Sequence, residues 1–210
     1  MTYLLWRERV VDECSEEDMK KYCASKIRKK IYRPGMWLSG KNRMSTYKYK
    51  LSKELANKSE DLRAVYLLKN GQRRTFDPKY HPREMLAMGV FGGKILNDCL
   101  DEFPVEWFAD ALRKGKISPM KAREEINYFG VKSRQSLQKW RESGWIVGDD
   151  ERGWFQWFCR YALGRRDKEV DTVQMKRWAS IRRWKTISDR NPNNKKIKQL
   201  LLQWSWPCLP

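Results

Sequence analysis

Ser118–Tyr161 reads SPMKAREEINYFGVKSRQSLQKWRESGWIVGDDERGWFQWFCRY, and its spacing decides the kind of fold that the rest of the chain can build. Ser118-Pro119 has the form of a helix start, with a side-chain oxygen at the N-cap and proline at the first helical position. The spacing then predicts a helix with Ala122, Ile126 and Phe129 on one face, ended by Gly130, where positive φ is cheap. Ser133 suits the cap of a second helix whose Leu137 and Trp140 point back at the first. Gly144 closes that helix, and Trp145-Ile146 reads as a short extended exit. Further along, Trp154, Trp157, Phe158 and Tyr161 fall at i, i+3, i+4 and i+7, an aromatic stripe expected in the core.

Toward the C-terminus, Gly164 stops the aromatic helix and Arg165-Arg166 follows as a candidate phosphate clamp. Asp167, Glu169 and Asp171 suit the first turn of the next helix, where the dipole favours negative charge. That helix is expected to turn Met175, Trp178 and Ile181 inward, leaving Lys176, Arg177, Arg182, Arg183 and Lys185 outside. Asn191-Pro192-Asn193-Asn194 is a turn. A last helix, KKIKQLLLQW, should bury Ile197, Leu200, Leu201 and Trp204.

Toward the N-terminus, Glu106 to Ala109 belong to an amphipathic helix ending near Gly115. Pro82 can start another, carrying Met85, Leu86 and Val90. Phe91-Gly92-Gly93-Lys94 breaks it, either as a turn between helices or as a weak candidate phosphate cradle. Asp98, Asp101 and Glu102 are carboxylates close enough in sequence to share a cation or to serve a helix dipole, and no metal is assigned to them. His81 is the single histidine, so proton transfer near neutrality would fall to it or to a shifted carboxylate, lysine or cysteine. AVYLLKNGQRRTF reads as a β-hairpin, Val65–Leu68 pairing near Arg73–Phe76 across a type I′ Asn70-Gly71 turn.

Charge dominates the remainder. Lys+Arg number 45 against 26 Asp+Glu, a formal net charge of +19 that attracts polyanions. From Met19 to Lys53 there are twelve lysines and arginines and no Asp or Glu. Lys26, Arg28, Lys29, Lys30, Arg33, Lys41 and Arg43 are therefore candidate phosphate contacts, with Trp37, Tyr47 and Tyr49 among them. The chain has 11 tryptophans, and aromatics interleaved with cations favour nucleic acid over a membrane surface. No apolar run reaches the length of a membrane-spanning helix and no signal-peptide core opens the chain, so an intracellular setting is expected. The five cysteines are odd in number and none sit at CxxC spacing, which favours free thiols over disulfides or zinc.

The 118–146 segment resembles the helix-turn-helix of excisionase-like and MerR-like DNA-binding proteins. In that family the second helix enters the major groove, which implies Arg134, Gln135, Gln138 and Arg141 as its readers. The same residues also fit a plain helical hairpin. On a wider scale, HPREMLAMGVFGGKILNDCLDEFPVEWF, NYFGVKSRQSLQKWRESGWI, RGWFQWFCRYALGRRDKEVDTVQMKRW and the terminal LLLQW are similar to an uncharacterised family of tailed phages, large DNA viruses and algal or fungal genomes. That resemblance implies a DNA-virus setting and supplies no catalytic residue.

The fold class expected is mainly α with one β-hairpin: a basic N-terminal region over 1–76 with a helix and the β-hairpin, then a helical, Trp-rich body over 77–210 with the helix-turn-helix-like unit at 118–146. The function expected is nucleic-acid binding, duplex DNA before RNA, with Arg165, Arg166, Arg182 and Arg183 holding phosphates beside the N-terminal cations. An alternative is a nucleic-acid-modifying enzyme with a pocket around His81, Gly92-Gly93-Lys94, Asp98 and Asp101. A second alternative is a structural or RNA-associated virion protein. No cofactor and no membrane partner are expected, and the sequence leaves the oligomeric state open.

Overall fold

The computed structural model describes residues 62–96, 99, 102–118 and 121–209. The basic run with Lys26, Arg28, Lys29, Lys30, Arg33, Lys41 and Arg43 lies outside the described residues, as do Asp98 and Asp101. The described chain is mainly helical with a single two-stranded antiparallel sheet, as expected. It forms two compact units, one over Arg83–Lys132 and one over 62–82 and 133–209.

In the first unit, α1 (Pro82–Met88) and α2 (Val105–Arg113) flank a tight glycine turn. Met85, Leu86, Trp107, Phe108 and Leu112 are buried along their inner faces. Asp110 on α2 accepts from Arg83 Nε and Nη2 at 2.9 and 2.7 Å, tying the two helices together. Burial raises the Asp110 pKa, but the hydrogen bonds and charges of Arg83 and Arg113 outweigh it and hold the carboxyl below its usual range.

The first helix expected from Ser118 does not form over the described residues. Between Lys121 and Gly130 the only helical piece is one 3-10 turn, Glu124–Ile126. Ser118 shows why. Its hydroxyl donates to the Lys121 carbonyl, and its own amide donates to the Gly93 carbonyl at 2.8 Å. Two further long-range bonds follow, Arg123 N to Gly92 O at 3.0 Å and Tyr128 N to Gly89 O at 3.1 Å. Long-range backbone partners have taken the donors that a helix would have used.

In the second unit the hairpin pairs β1 (Ala64–Leu67) with β2 (Arg73–Phe76), Leu67 opposite Arg73. Its turn is not type I′, which needs positive φ at both central residues. Gly71 alone has it, at 78°. Gly71 N donates to Leu68 O at 3.0 Å and Leu68 N to Gln72 O at 2.9 Å, a three-residue loop with a glycine bulge.

The helices of this unit are α3 (Leu137–Glu142), α4 (Trp154–Ala162), α5 (Lys168–Ser180), α6 (Arg182–Arg190) and α7 (Lys195–Gln203). Every residue of α4 is buried. The β2 residue Phe76, 0% exposed, sits at the centre of the core. It meets Trp157, Phe158, Tyr161 and Trp178 edge-to-face, with centroids 5.6, 6.0, 5.7 and 5.0 Å away. This is the geometry the ring quadrupoles prefer.

Side chains cap the later helices. Asp167 accepts the Glu169 and Val170 amides at the start of α5, and Asn194 accepts the Ile197 amide at the start of α7. Ser205, left-handed at φ 53°, ends α7. Its hydroxyl donates to Tyr80 O at 2.8 Å and its carbonyl accepts from Lys79 N at 2.8 Å, which offsets the strain of a non-glycine residue there.

Candidate nucleic-acid interface

Three outcomes among the sequence-expected sites change the reading. The first concerns Gly92-Gly93. With Phe91 these glycines form a left-handed turn, φ 54°, 64° and 75°. A Cβ on Gly92 would stand 2.8 Å from Arg123 N, and one on Gly93 would stand 2.7 Å from Lys116 O. Gly92 N is taken by Asn127 Oδ1 at 2.8 Å. The close approach that glycine permits here is to the protein's own backbone at 116–127. That accounts for the double glycine without a phosphate.

The second concerns the enzyme pocket. His81 belongs to the second unit and Lys94, exposed, to the first. Asp98 and Asp101 lie outside the described residues. Among the described residues no three His, Cys, Asp or Glu side chains are grouped so as to hold a metal ion. Cys99, Cys159 and Cys208 are buried free thiols. Burial pushes the Cys208 thiol up to about 11, so it is not a thiolate at neutral pH.

The third is a correction at Arg165-Arg166. Arg165 is buried, its Nη1 and Nη2 donating to Asp150 Oδ1 and Oδ2 at 2.9 and 2.6 Å. Arg160 Nη1 donates to the same Asp150 Oδ1 at 2.8 Å. Asp150 is itself 0% exposed, so this is an internal ion triplet that locks the turn before α4. A buried carboxylate needs paired donors, and two arginines supply them. The Arg166 guanidinium lies 3.8 Å over the Tyr161 ring and donates to the Tyr161 and Arg165 carbonyls at 2.6 and 2.8 Å. The pair staples the helix end; Arg165 is not presented as a clamp.

The second half of the helix-turn-helix-like stretch is also shorter than expected. Its cap is Ser136, accepting from Lys139 N at 3.1 Å, so Arg134 and Gln135 precede α3 and do not ride on it. The two halves of the stretch fall in different compact units, divided after Lys132. Arg134, Gln135, Gln138 and Arg141 are all exposed. Gln138 Nε2 is occupied by Glu142 Oε1 at 2.9 Å.

What the second unit does assemble is a cationic end. Residues 176–198 hold nine lysines and arginines and a single acid, Asp189. α6 turns only Ser188 fully inward, so Arg182, Arg183 and Arg190 are exposed. α7 opens with exposed Lys195 and Lys196. Ser133 Oγ donates to Lys196 O at 3.4 Å, and Gln203 Nε2 donates to Ser133 O, which lays the residue before Arg134 alongside α7.

Arg177 completes this end. Its Nη1 and Nη2 donate to Trp145 O and Gly144 O at 2.5 and 2.9 Å, fastening the chain after α3 to the last turns of α5. Burial lowers the Arg177 pKa from its ordinary value. Sequence reasoning passed over Lys195, Lys196 and Arg190 as contacts, although the one-sided charge of 176–198 was visible. It could not have found the Arg177 bridge, which joins positions 32 and 33 residues apart.

No family model, curated protein or solved structure matches this chain.

Proposed function

We propose that this chain binds nucleic acid, duplex DNA foremost, through the cationic end of its second unit. The observation that carries the reading is the α6–α7 pair. Its outer faces present Arg182, Arg183, Arg190, Lys195 and Lys196, with Asp189 as the sole acid. An ordinary solvated surface intersperses both signs, and a one-sided one attracts phosphate. Arg134, next in the chain to Ser133, extends the same field. Base reading by α3 is a weaker element of the proposal, because that helix is only six residues long.

The test is binding of labelled duplex DNA, single-stranded DNA and structured RNA across a salt series. For duplex DNA the wild type should lose affinity linearly in log–log form as salt rises. Arg182→Ala/Arg183→Ala/Lys195→Ala/Lys196→Ala should reduce the slope by about 3 to 4, near 0.9 for each phosphate contact removed. A Gln135→Ala/Gln138→Ala variant, which removes no cation, that abolishes duplex preference at unchanged slope would assign groove reading to this segment. Salt-independent binding, or a quadruple variant that binds like wild type, would overturn the proposal.

A further inference from the structure

Trp145 is the one large aromatic of the second unit left substantially in solvent among the described residues, at 47% exposed. The other tryptophans of that unit are buried or half-buried. Trp154, Trp157, Trp178, Trp204 and Trp206 all pack against other aromatic rings. A chain with this much aromatic core had interior positions to offer, and Trp145 is not in one.

Its backbone is nonetheless held firmly. Trp145 N donates to Trp140 O at 2.9 Å, and its carbonyl takes the Arg177 guanidinium. Three residues on, a Cβ at Gly148 would lie 3.3 Å from Val170 Cγ2, so the 144–148 segment runs along α5. The two ends of that run differ. Gly148 lies near the start of α5, where Asp149, Glu151, Asp167 and Glu169 mix with Arg152 and Lys168. Trp145 lies at the Arg177 end, from which the chain passes directly to Arg182 and Arg183.

We infer that the Trp145 indole is a stacking platform for an unpaired base, so that the cationic end takes single-stranded nucleic acid by ring stacking as well as by charge. This rests on the nucleic-acid reading above and names a substrate class for the same surface. The combination is the physical requirement for such binding: cations to follow the backbone and a solvent-exposed π-surface to receive a base. A ring on a clamped backbone has only its two χ angles left to lose when a base stacks on it. The bonds that hold this segment use main-chain atoms of Trp145, and 47% of the residue stays open to solvent.

The experiment uses the full chain with three labelled probes of equal length: an oligothymidine strand, an abasic sugar-phosphate strand and a duplex. Trp145→Ala should weaken oligothymidine binding about 5- to 150-fold, the range for one base-aromatic stack. Its salt slope should stay unchanged, because stacking releases no counterions. Abasic-strand and duplex affinities should move less than about twofold, and Trp145→Phe should recover most of the oligothymidine affinity. An oligoribonucleotide arm that behaves like oligothymidine would extend the class to RNA. An equal loss on abasic and base-bearing strands would overturn the inference, as would no loss at all. A change of oligomeric state in Trp145→Ala with single-strand affinity intact would overturn it by making the indole a self-association contact. If wild type binds duplex in the salt-dependent manner above and Trp145→Ala changes nothing, the inference alone fails. If wild type binds none of the probes, the function proposed above fails with it.

Discussion

Gly89 and Gly115 are both left-handed, at φ 81° and 63°, yet they answer to different constraints. Around Gly115 a Cβ would meet nothing within 4 Å, whereas at Gly89 it would lie 2.0 Å from the Ile126 carbonyl oxygen. Gly115→Ala should therefore cost only the left-handed penalty, about 1 kcal/mol after the unfolded chain's lost freedom is offset. Gly89→Ala adds a collision with backbone that the Tyr128 N–Gly89 O bond holds in place. Its loss in urea unfolding should be at least about twice that of Gly115→Ala, since overpacking alone costs roughly 1–3 kcal/mol. Equal losses would mean that the 116–128 segment yields freely. The same contrast shows how legible single residues were. The glycines at 92–93 announced a bend, but the backbone that fills it comes from Lys116, Ser118 and Arg123, more than twenty residues away, and no local pattern encodes that distance. Arg165 was misread for a similar reason. A surface clamp and a buried counterion have the same one-letter code, and only the burial of Asp150 separates them.

Among the elements, those with strong periodicity were read well. The aromatic stripe at Trp154–Tyr161 is α4, and the hairpin pairs with the expected strands. The docking of the hairpin rests on two rings. Val65 and Leu67 face solvent at 66% and 58% exposed, so Tyr66 and Phe76 carry its burial. Phe76→Ala should cost about 3–5 kcal/mol in denaturant unfolding, and near-UV circular dichroism should lose intensity as the four edge-to-face contacts go. Val65→Thr, on the open face, should stay within about 0.5 kcal/mol. If Phe76→Ala also fell in that range, the hairpin would not be part of the cooperative core. α5 was less legible. Its buried face includes Asp171 and Gln174 beside Met175 and Trp178, so half of that face looks polar in the sequence. Asp171 is inside because it accepts from Trp157 Nε1 at 2.8 Å and from Asp167 N at 3.0 Å. Burial raises its pKa above the ordinary aspartate value.

For the whole molecule the relevant quantity is where charge collects. The net charge of +19 belongs to the full chain. Within the described second unit, the mixed and the cationic ends stand at opposite termini of α5. Thirteen residues of helix separate them, roughly 18–20 Å and about two Debye lengths at 0.1 M salt. Charge changes at the two ends should accordingly act independently on polyanion binding. Lys196→Glu should weaken duplex binding about tenfold or more at 0.1 M salt, through one lost phosphate contact and an added repulsion. Glu169→Lys, although it raises the net charge by two, should alter it by less than about twofold. A filter-binding or anisotropy titration decides this. Comparable effects from the two variants would show that net charge alone, without the α6–α7 surface, governs attraction.

The sequence by itself determined the fold class, the hairpin strands, the aromatic helix and the sign and rough location of the charge. Periodicity and composition are local, additive properties that survive without knowledge of the fold. Tertiary structure decided the rest. It replaced the helix after Ser118 with backbone pairing to Gly89–Gly93, buried Arg165 on Asp150, and joined Arg177 to the carbonyls beneath Trp145. Each of these pairs groups distant in sequence. A backbone donor or a guanidinium accepts whichever partner the packing brings within 3 Å or so, and that choice is made only when the chain has folded.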